Sequence, residues 1–238
     1  MSDPIRWWFD EAAKIDPEAW AKLARPAITW VPDQRIGPHQ VTKDFEAALC
    51  RYTGAKYAVT TTSCTQAILM ALAWRARDFL PGEDVEMPRL SYVGVPAAIR
   101  NAGCAVVFRD EDWQGEYEFG GVGRGVWDSA RRFTSGMYRP GAMQCISFHA
   151  QKILGDSQGG AVLHDNPEAD AWLRRARFDG RTEGVDAKED QVTYPSWHAY
   201  MSPDVAARLL WRLSVLPKHN PDLPRSDYPD LSTLKAFQ

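Results

Sequence analysis

Strand-like and helix-like segments alternate along most of this chain, and that alternation restricts its fold more than any other feature. The runs "YAVTTTS", "DVEMP", "AVVFRD", "GVWD", "CISFH" and "GAVLHD" predict strands. Between and around them, "VTKDFEAALCRYTG", "CTQAILMALAWRARDF", "SYVGVPAAIRNAG", "EADAWLRRARFDG" and "SPDVAARLLWRLSVL" predict helices. Such an order predicts an α/β fold, a three-layer sandwich around a mostly parallel mixed sheet.

Composition and charge narrow the functional classes. With 45% hydrophobic and 25% charged residues the chain is typical of globular proteins, and its net charge of −3 offers no overall attraction to nucleic acid or anionic membranes. We find no signal peptide and no apolar run near the ~20 residues of a membrane helix. Four cysteines without CxxC spacing predict reduced thiols. We therefore expect a cytoplasmic protein.

Ligands of open α/β sheets bind beyond the carboxyl ends of the strands. In this chain that rule selects five places: Thr60–Thr65, Pro88–Tyr92, Asp110, Asp128 and Ser147–Lys152. In the first of them, the hydroxyls of Ser63 and Thr65 and the free N–H groups at a helix start suit a phosphate. An ordinary helix cap at Ser63 explains the same residues.

Lys152 is the only lysine between Lys56 and Lys188. It lies between two apolar strand-like runs, and a small, flexible glycine-rich loop follows it. Burial among such strands lowers the pKa of a lysine and makes its neutral amine available as a nucleophile, as Schiff-base formation requires. The alternative is a surface lysine whose stem lies along apolar surface.

Two further strand ends carry candidate side chains. Asp128 ends "GVWD", where its carboxylate either pairs with a neighbouring arginine or holds a protonated ring nitrogen. Tyr92 follows the strand that ends at Pro88, and it either packs in the core or faces a ligand. The residues alone leave both choices open.

Several motifs together resemble a known family. The segments "TTSCTQAIL", "MPRLSYVGVPAAIRNAG", "VWDSARRF", "SFHAQKIL" and "QGGAVLHD" occur in the order found in fold-type I pyridoxal-phosphate (PLP) enzymes, and they are similar to the DegT/DnrJ/EryC1/StrS sugar aminotransferases. The resemblance runs from about Gly37 to Leu216. It implies a large-domain-like α/β domain over residues 37–216, preceded by an amino-terminal helix and arm (1–36) and followed by an irregular tail (217–238).

The resemblance implies pyridoxal 5'-phosphate as cofactor and a role for each matching residue. Lys152 would form the aldimine and later move protons, Asp128 would pair with the pyridinium nitrogen, and Tyr92 would stack on the ring. The phosphate would be held by four residues: Ser63, Cys64, Thr65 and Ser147. Arg131 stands where the family usually has Gln beside the ring hydroxyl.

The chain also departs from the family pattern. Cys64 replaces a usual Gly, Gln158 replaces a usual Glu, and His198–Ser202 replaces an Asn-x-Arg-Met-Ser stretch that reaches toward the partner subunit's site. Only 17 residues separate Asp110 from Asp128, fewer than the family uses for an intervening strand–helix–strand. We expect the family's small carboxy-terminal domain to be absent, and a homodimer with the site at its interface.

Three functions remain open at this stage. The leading one is a PLP-dependent aminotransferase acting on an amino or keto sugar-nucleotide-type substrate. The second is a PLP-dependent decarboxylase of an amino acid attached to a nucleotide base, as in phage-type DNA hypermodification in a virus-infected host cell. A basic helix would then meet phosphates through Arg174, Arg175, Arg177 and Arg181, although the sequence alone favours a solvated helix face as the explanation of these arginines. The third is an inactive PLP-fold scaffold.

Overall fold

A computed structural model describes residues 39–194 and 196–237 of the chain. The expected amino-terminal helix and arm (1–36) therefore lie outside the described residues. Within the described ranges no helix has the length and apolar character needed to cross a membrane.

The helices and strands follow the predicted alternation. The described residues form five α-helices: α1 (Gln40–Thr53), α2 (Cys64–Ala76), α3 (Gly94–Asn101), α4 (Pro167–Ala176) and α5 (Pro203–Val215). The strands are β1 (Tyr57–Thr61), β2 (Asp84–Pro88), β3 (Ala105–Arg109), β4 (Tyr117–Glu118), β5 (Gly120–Gly121), β6 (Val126–Asp128), β7 (Met143–Ser147) and β8 (Gly160–His164). Two short 3-10 helices, Leu231–Thr233 and Lys235–Phe237, lie in the tail.

Local sequence explains where the first helices begin and end. Helix α1 buries Phe45 and Leu49 four residues apart, and it ends at Gly54, whose φ of 85° is left-handed. Helix α2 begins after Ser63, whose side chain accepts a hydrogen bond from the N–H of Gln66. Because α2 follows β1 after only two residues, its first turn lies at the carboxyl end of that strand.

The strands form two sheets that one short segment connects. A five-stranded sheet has the order β1-β8-β7-β6-β4, and a three-stranded sheet has the order β3-β2-β5. Strand β4 pairs with β6 and β5 pairs with β2, and only Phe119 separates β4 from β5. The segment 117–121 therefore joins the two sheets, because it pairs with β6 at one end and with β2 at the other.

The α/β prediction is confirmed, and the sheet is mixed. Strands β6 and β7 are parallel, as are β2 and β3, whereas β8 is antiparallel to both β1 and β7. The two-residue strands β4 and β5 are also antiparallel to their partners. We expected one mostly parallel sheet. Two of the antiparallel pairings involve β8, and the other two arise in the short interval between Asp110 and Asp128, which forms β4 and β5 without a helix.

The three layers are visible in the alternation of buried residues along the central strands. Cys145 and Val162 face a cluster that includes residues of α2, α3 and α4. Their neighbours Ile146, Ala161 and Leu163 face a second cluster with residues of α1 and α5. Since successive side chains of a strand point to opposite faces, helices cover both faces of this sheet.

Candidate active site

The eight residues predicted for a cofactor site all line one cavity of about 390 Å³. They are Ser63, Cys64, Thr65, Tyr92, Asp128, Arg131, Ser147 and Lys152. They come from the carboxyl ends of β1, β2, β6 and β7 and from the segments that follow these strands. The volume lies within the range of about 300–1,000 Å³ that small-molecule sites occupy.

The turn between β1 and α2 forms one end of the cavity. The hydroxyl of Ser63 accepts the N–H of Gln66 at 3.2 Å, so the residue is a helix cap and also lines the cavity. Gly160 allows β8 to approach this turn closely, because a Cβ there would lie 2.4 Å from the backbone N of Cys64. The hydroxyls and the free N–H groups of a first helical turn form a donor set that suits a phosphate.

Asp128 is buried, and each of its carboxylate oxygens has a hydrogen-bond donor. The N–H of Ala130 donates to Oδ1 at 3.0 Å and the hydroxyl of Tyr117 donates to Oδ2 at 3.1 Å. Burial raises the pKa of this carboxyl, and these two hydrogen bonds and the charge of Lys152 oppose the increase. No arginine among residues 39–194 and 196–237 forms an ion pair with Asp128.

Lys152 is half-buried and faces the same cavity. Its backbone N–H donates to the carbonyl of His149 at 2.8 Å, in a turn that directs the chain away from β7. Burial lowers the pKa of its amine, the charge of Arg131 lowers it further, and Asp128 opposes both effects. The fraction of neutral amine near neutral pH is therefore larger than for an exposed lysine.

The glycine-rich loop after Lys152 is anchored by an ion pair. Asp156 is 7% exposed, and its two carboxylate oxygens accept the Nε of Arg208 on α5 at 3.0 and 2.8 Å. The N–H of Asp156 also donates to the carbonyl of Phe148 at 2.8 Å. Helix α5 thereby holds the loop that connects Lys152 to β8.

Tyr92 lies at the mouth of the cavity and not in the core. Its side chain is 53% exposed, whereas the neighbouring Ser91 is 1% exposed. Close packing here depends on Gly94, because a Cβ on that residue would lie 2.7 Å from the ring of Tyr92 and 3.0 Å from the hydroxyl of Thr65. The core-packing alternative for Tyr92 is therefore wrong.

The tail supplies a wall of the cavity that sequence reasoning missed. Ser226, Asp227 and Tyr228 line the cavity beside Arg131. Arg131 holds this part of the chain, since its Nε donates to the carbonyl of Pro224 and its own carbonyl accepts the N–H of Leu223 at 2.9 Å. Roughly ninety residues separate these partners in sequence, and no local pattern reveals such a contact.

Segment 111–117 contributes two aromatic residues that were also missed. Trp113 lines the cavity and donates its Nε1–H to the carbonyl of Leu90 at 2.9 Å. Tyr117 lies behind Asp128, with its hydroxyl between that carboxylate and Ser91. The only available signal was the shortness of the interval between Asp110 and Asp128.

The stretch His198–Ser202 supports the turn after β1 from within the same chain. The carbonyl of Ala199 accepts the N–H of Thr62 at 2.9 Å, and Met201 is buried against Gly159. His198 is exposed and bonds to Asp179 at 2.8 Å. The buried half of this stretch therefore stabilises the site, while His198 stays on the surface.

The arginines of α4 and the residues after it have partners within the protein. Arg177 is 3% exposed and bonds to Glu46 and Thr60, and Arg174 bonds to Glu46 at 2.7 Å.

The other two arginines contact the chain that follows α4. Arg175 donates to the carbonyls of Gly180 and Gln191. Arg181 lies over the ring of Phe178. These contacts contribute to the stability of the fold, and Arg174, Arg175 and Arg181 also line a second cavity of about 740 Å³ together with Lys43 and Lys56.

Comparison with known proteins agrees with this geometry. Residues 29–115 match the model of the DegT/DnrJ/EryC1/StrS aminotransferase family. No curated protein matches the chain in sequence. Solved structures share the fold at low sequence identity.

Three of these structures illustrate the likeness. A DegT/DnrJ/EryC1/StrS aminotransferase from Brucella abortus has a TM-score of 0.64 and 18% identity, over 84% of this chain and 63% of its own. NtdA from Bacillus subtilis with bound cofactor PMP has a TM-score of 0.64 and 18% identity, over 84% of this chain and 53% of its own. The sugar aminotransferase CalS13 from Micromonospora echinospora has a TM-score of 0.65 and 16% identity, over 84% and 66%.

This chain therefore spans between about half and two thirds of the length of these structures. At such identities the likeness establishes the fold. The predicted resemblance is confirmed: the family that the motifs resemble is the one whose model matches residues 29–115, and the described chain adopts the fold of its sugar aminotransferases.

Proposed function

We propose that this protein is a PLP-dependent, aminotransferase-like enzyme that acts on an amino or keto sugar-nucleotide-type substrate. The observation that carries the proposal is the position of Lys152 and Asp128 on one cavity whose far end is the first turn of α2. An amine with a lowered pKa, a buried carboxylate and a helix start suit the aldehyde, the ring nitrogen and the phosphate of this cofactor.

The residues present fit the ring nitrogen, the phosphate and the ring face of the cofactor. Asp128 retains acceptor capacity for a ring N–H, since each carboxylate oxygen accepts only one bond within the protein. Ser63, Thr65 and Ser147 offer hydroxyls at the phosphate end. Cys64 offers a neutral thiol, because burial raises its pKa well above the usual range. The exposed ring of Tyr92 can lie flat on the cofactor ring at the mouth.

When bound, the cofactor supplies an electron sink that labilises a bond on the carbon bearing the substrate's amine. Lys152 would hold it covalently through the amine and, once released, would accept and return the proton of that carbon. Asp128 would hold the ring nitrogen in its protonated form. Arg131, anchored to the carbonyl of Pro224, would place a positive charge beside the ring oxygen.

The covalent anchor can be tested with one matched pair of lysine variants. We expect wild-type protein to develop a visible absorbance band with pyridoxal phosphate and to retain the cofactor on Lys152 after borohydride reduction, detected by peptide mass spectrometry. Lys152→Ala should lose both signals, and Lys188→Ala, which alters an exposed lysine, should keep both. Equal spectra for Lys152→Ala and wild type would leave a scaffold as the better account.

The substrate class rests on the sugar aminotransferases that share this fold. We expect the cofactor-loaded protein to transfer an amino group from a common amino acid to a nucleotide-linked keto sugar. Chromatography of the sugar product measures this transfer. Carbon dioxide release from an amino acid substrate, without transfer, would instead favour the decarboxylase. Binding to DNA that weakens with salt would support a base-linked substrate.

A homodimer belongs to the same proposal. Tyr92, which lines the cavity, is 53% exposed and its neighbour Val93 is 46% exposed, and a second copy of the chain over them would exclude water from the cofactor ring. We expect light scattering to give twice the mass of 26.8 kDa. A monomeric mass for protein that binds cofactor would show that one chain completes the site.

A further inference from the structure

Tyr117 reaches the candidate site from one of the two shortest strands among the described residues. It lies in β4, within the interval where the family resemblance leads one to expect a strand, a helix and a strand. In the register of β4 and β6, Tyr117 is the direct partner of Asp128. Directly opposed residues of antiparallel strands project their side chains to the same face, so the pairing itself brings the two side chains together.

A hydrogen-bond chain runs from Ser91 through Tyr117 to Asp128. The hydroxyl of Tyr117 lies 2.9 Å from the Oγ of Ser91 and 3.1 Å from Oδ2 of Asp128. An ionised carboxylate can only accept, so the tyrosine proton points to Asp128. The oxygen of Tyr117 is then free to accept the proton of Ser91. All three residues are buried, at 1%, 2% and 4% exposure respectively.

The ring of Tyr117 is held by two aromatic neighbours. Trp113 and Phe119 meet it edge-on, with ring centroids 4.9 and 5.4 Å away. Phe119 is itself 1% exposed in the junction between the two sheets. The hydroxyl therefore has one available direction, and little side-chain freedom remains to be lost when a ligand binds.

We propose that Tyr117 is a positioning residue that holds the Asp128 carboxylate in one orientation and in its charged form. This inference rests on the proposed function only in assigning a protonated ring nitrogen as the ligand that the carboxylate receives. Tyr117 acts through Asp128 and does not itself line the cavity.

The electrostatic surroundings of Asp128 explain why such a donor is needed. Burial raises the pKa of Asp128, and the groups that oppose this are the N–H of Ala130, the hydroxyl of Tyr117 and the amine of Lys152. Cys64 and Cys145 also face the carboxylate, but burial raises the pKa of both thiols well above the usual range and leaves them neutral. Tyr117 is thus the only side-chain donor among the described residues that bonds to Asp128 directly.

The experiment measures the protonation of Asp128 in cofactor-free protein, by NMR titration of its carboxyl carbon. Tyr117→Phe keeps the ring and removes the hydroxyl, so we expect the pKa of Asp128 to rise. Ser91→Ala should shift it in the same direction by less. The control is Tyr138→Phe, which removes a tyrosine hydroxyl that donates to the carbonyl of Ala142, and it should leave the pKa of Asp128 unchanged.

A second measurement links this pKa to the ligand. The Kd for pyridoxal phosphate should increase roughly tenfold or more in Tyr117→Phe, the loss expected for about 1.5 kcal/mol of a hydrogen bond to a charged group, and the loss should grow as the pH falls. An unchanged pKa of Asp128 in both Tyr117→Phe and Ser91→Ala would overturn the inference. If the pKa of Asp128 rises in Tyr117→Phe but the wild-type protein never binds pyridoxal phosphate, the inference stands and the proposed function is rejected.

Discussion

At the scale of single residues, Asp128 is held by contacts that a neutral amide can largely reproduce. Burial disfavours the charge of the Asp128 carboxylate, and the groups of the described protein around it offset this effect only in part. Asp128→Asn is therefore expected to leave the thermal stability of the cofactor-free protein equal or higher, while weakening cofactor binding about ten- to a hundredfold, as expected for about 1.5–3 kcal/mol of a charged hydrogen bond.

Fluorescence titration and thermal unfolding measure the two effects of this substitution. The control is Asp78→Asn, which alters an exposed carboxylate with 74% side-chain exposure. Cofactor binding should not change in that variant. Similar affinities for Asp128→Asn and wild type would contradict the assignment of a cationic ligand to this carboxylate.

The pH dependence of stability provides a separate prediction for Asp128. Because burial raises its pKa, the folded protein binds this proton more readily than the unfolded chain does. Its contribution to stability is present below the ordinary value of 3.8 and is lost as the pH rises through the raised value of the folded protein. The stability of Asp128→Asn relative to wild type should therefore increase with pH across that window, in urea denaturation at a series of pH values. A difference in unfolding free energy between the two proteins that does not change with pH would show that burial does not determine the pKa of Asp128.

Residue-scale prediction from the sequence depended on whether a signal was local. Lys152 and Asp128 stand directly after strand-like runs, and the structure places both on the cavity. Tyr117 and Tyr228 reach the site through cross-strand pairing and through a tail contact. Neither contact leaves a pattern in neighbouring residues, so neither residue could be selected in advance.

At the scale of the elements, Glu46 connects α1, β1 and α4. Its carboxylate, 4% exposed, accepts from the N–H and hydroxyl of Thr60 at 3.0 and 2.8 Å. Arg177 and Arg174 also donate hydrogen bonds to the Glu46 carboxylate. Burial alone would raise the pKa of Glu46, but the two guanidinium groups and Thr60 hold it below its ordinary value.

Removing this charge should destabilise the protein strongly. Glu46→Gln removes the nearer counter-ion of the buried guanidinium of Arg177 and leaves only Glu183 at 3.7 Å. Breaking a buried pair in this way costs about 3–5 kcal/mol of unfolding free energy. Urea denaturation measures the loss. Glu189→Gln, on an exposed residue, should change stability by less than about 0.5 kcal/mol. Losses of the same size in both variants would show that the network contributes little.

The long elements were predictable, and the short ones were not. Helix α1 and strands β1 and β2 follow their apolar patterns closely, and Gly54 ends α1. Strands β4 and β5 have two residues each, which is too short for any periodicity, and their pairing depends on β6 and β2 being in place already. The sequence therefore predicted the layers but not the joint between the two sheets.

At the scale of the whole molecule, residues 217–237 run along the same edge of the fold as the cavity. Near the start of this segment, Asn220 donates to the hydroxyl of Tyr52 at 2.9 Å. Further along, Leu231 is completely buried, and its N–H donates to the carbonyl of Arg89 at 2.9 Å. Because Ser226–Tyr228 lies between these two anchors, the wall of the cavity depends on both of them.

Leu231 provides the test of this dependence, because its side chain anchors the tail in the cluster that contains α2. Leu231→Ala should lower the unfolding free energy by about 2–5 kcal/mol and should also increase the Kd for pyridoxal phosphate. The matched control is Leu173→Ala on α4, which is equally buried in the same cluster but lies outside the tail. Leu173→Ala should lose a similar amount of unfolding free energy without increasing the Kd for pyridoxal phosphate. If both variants bind the cofactor as wild type does, the tail covers the cavity without contributing to binding, and α2, β6 and β7 form the site alone.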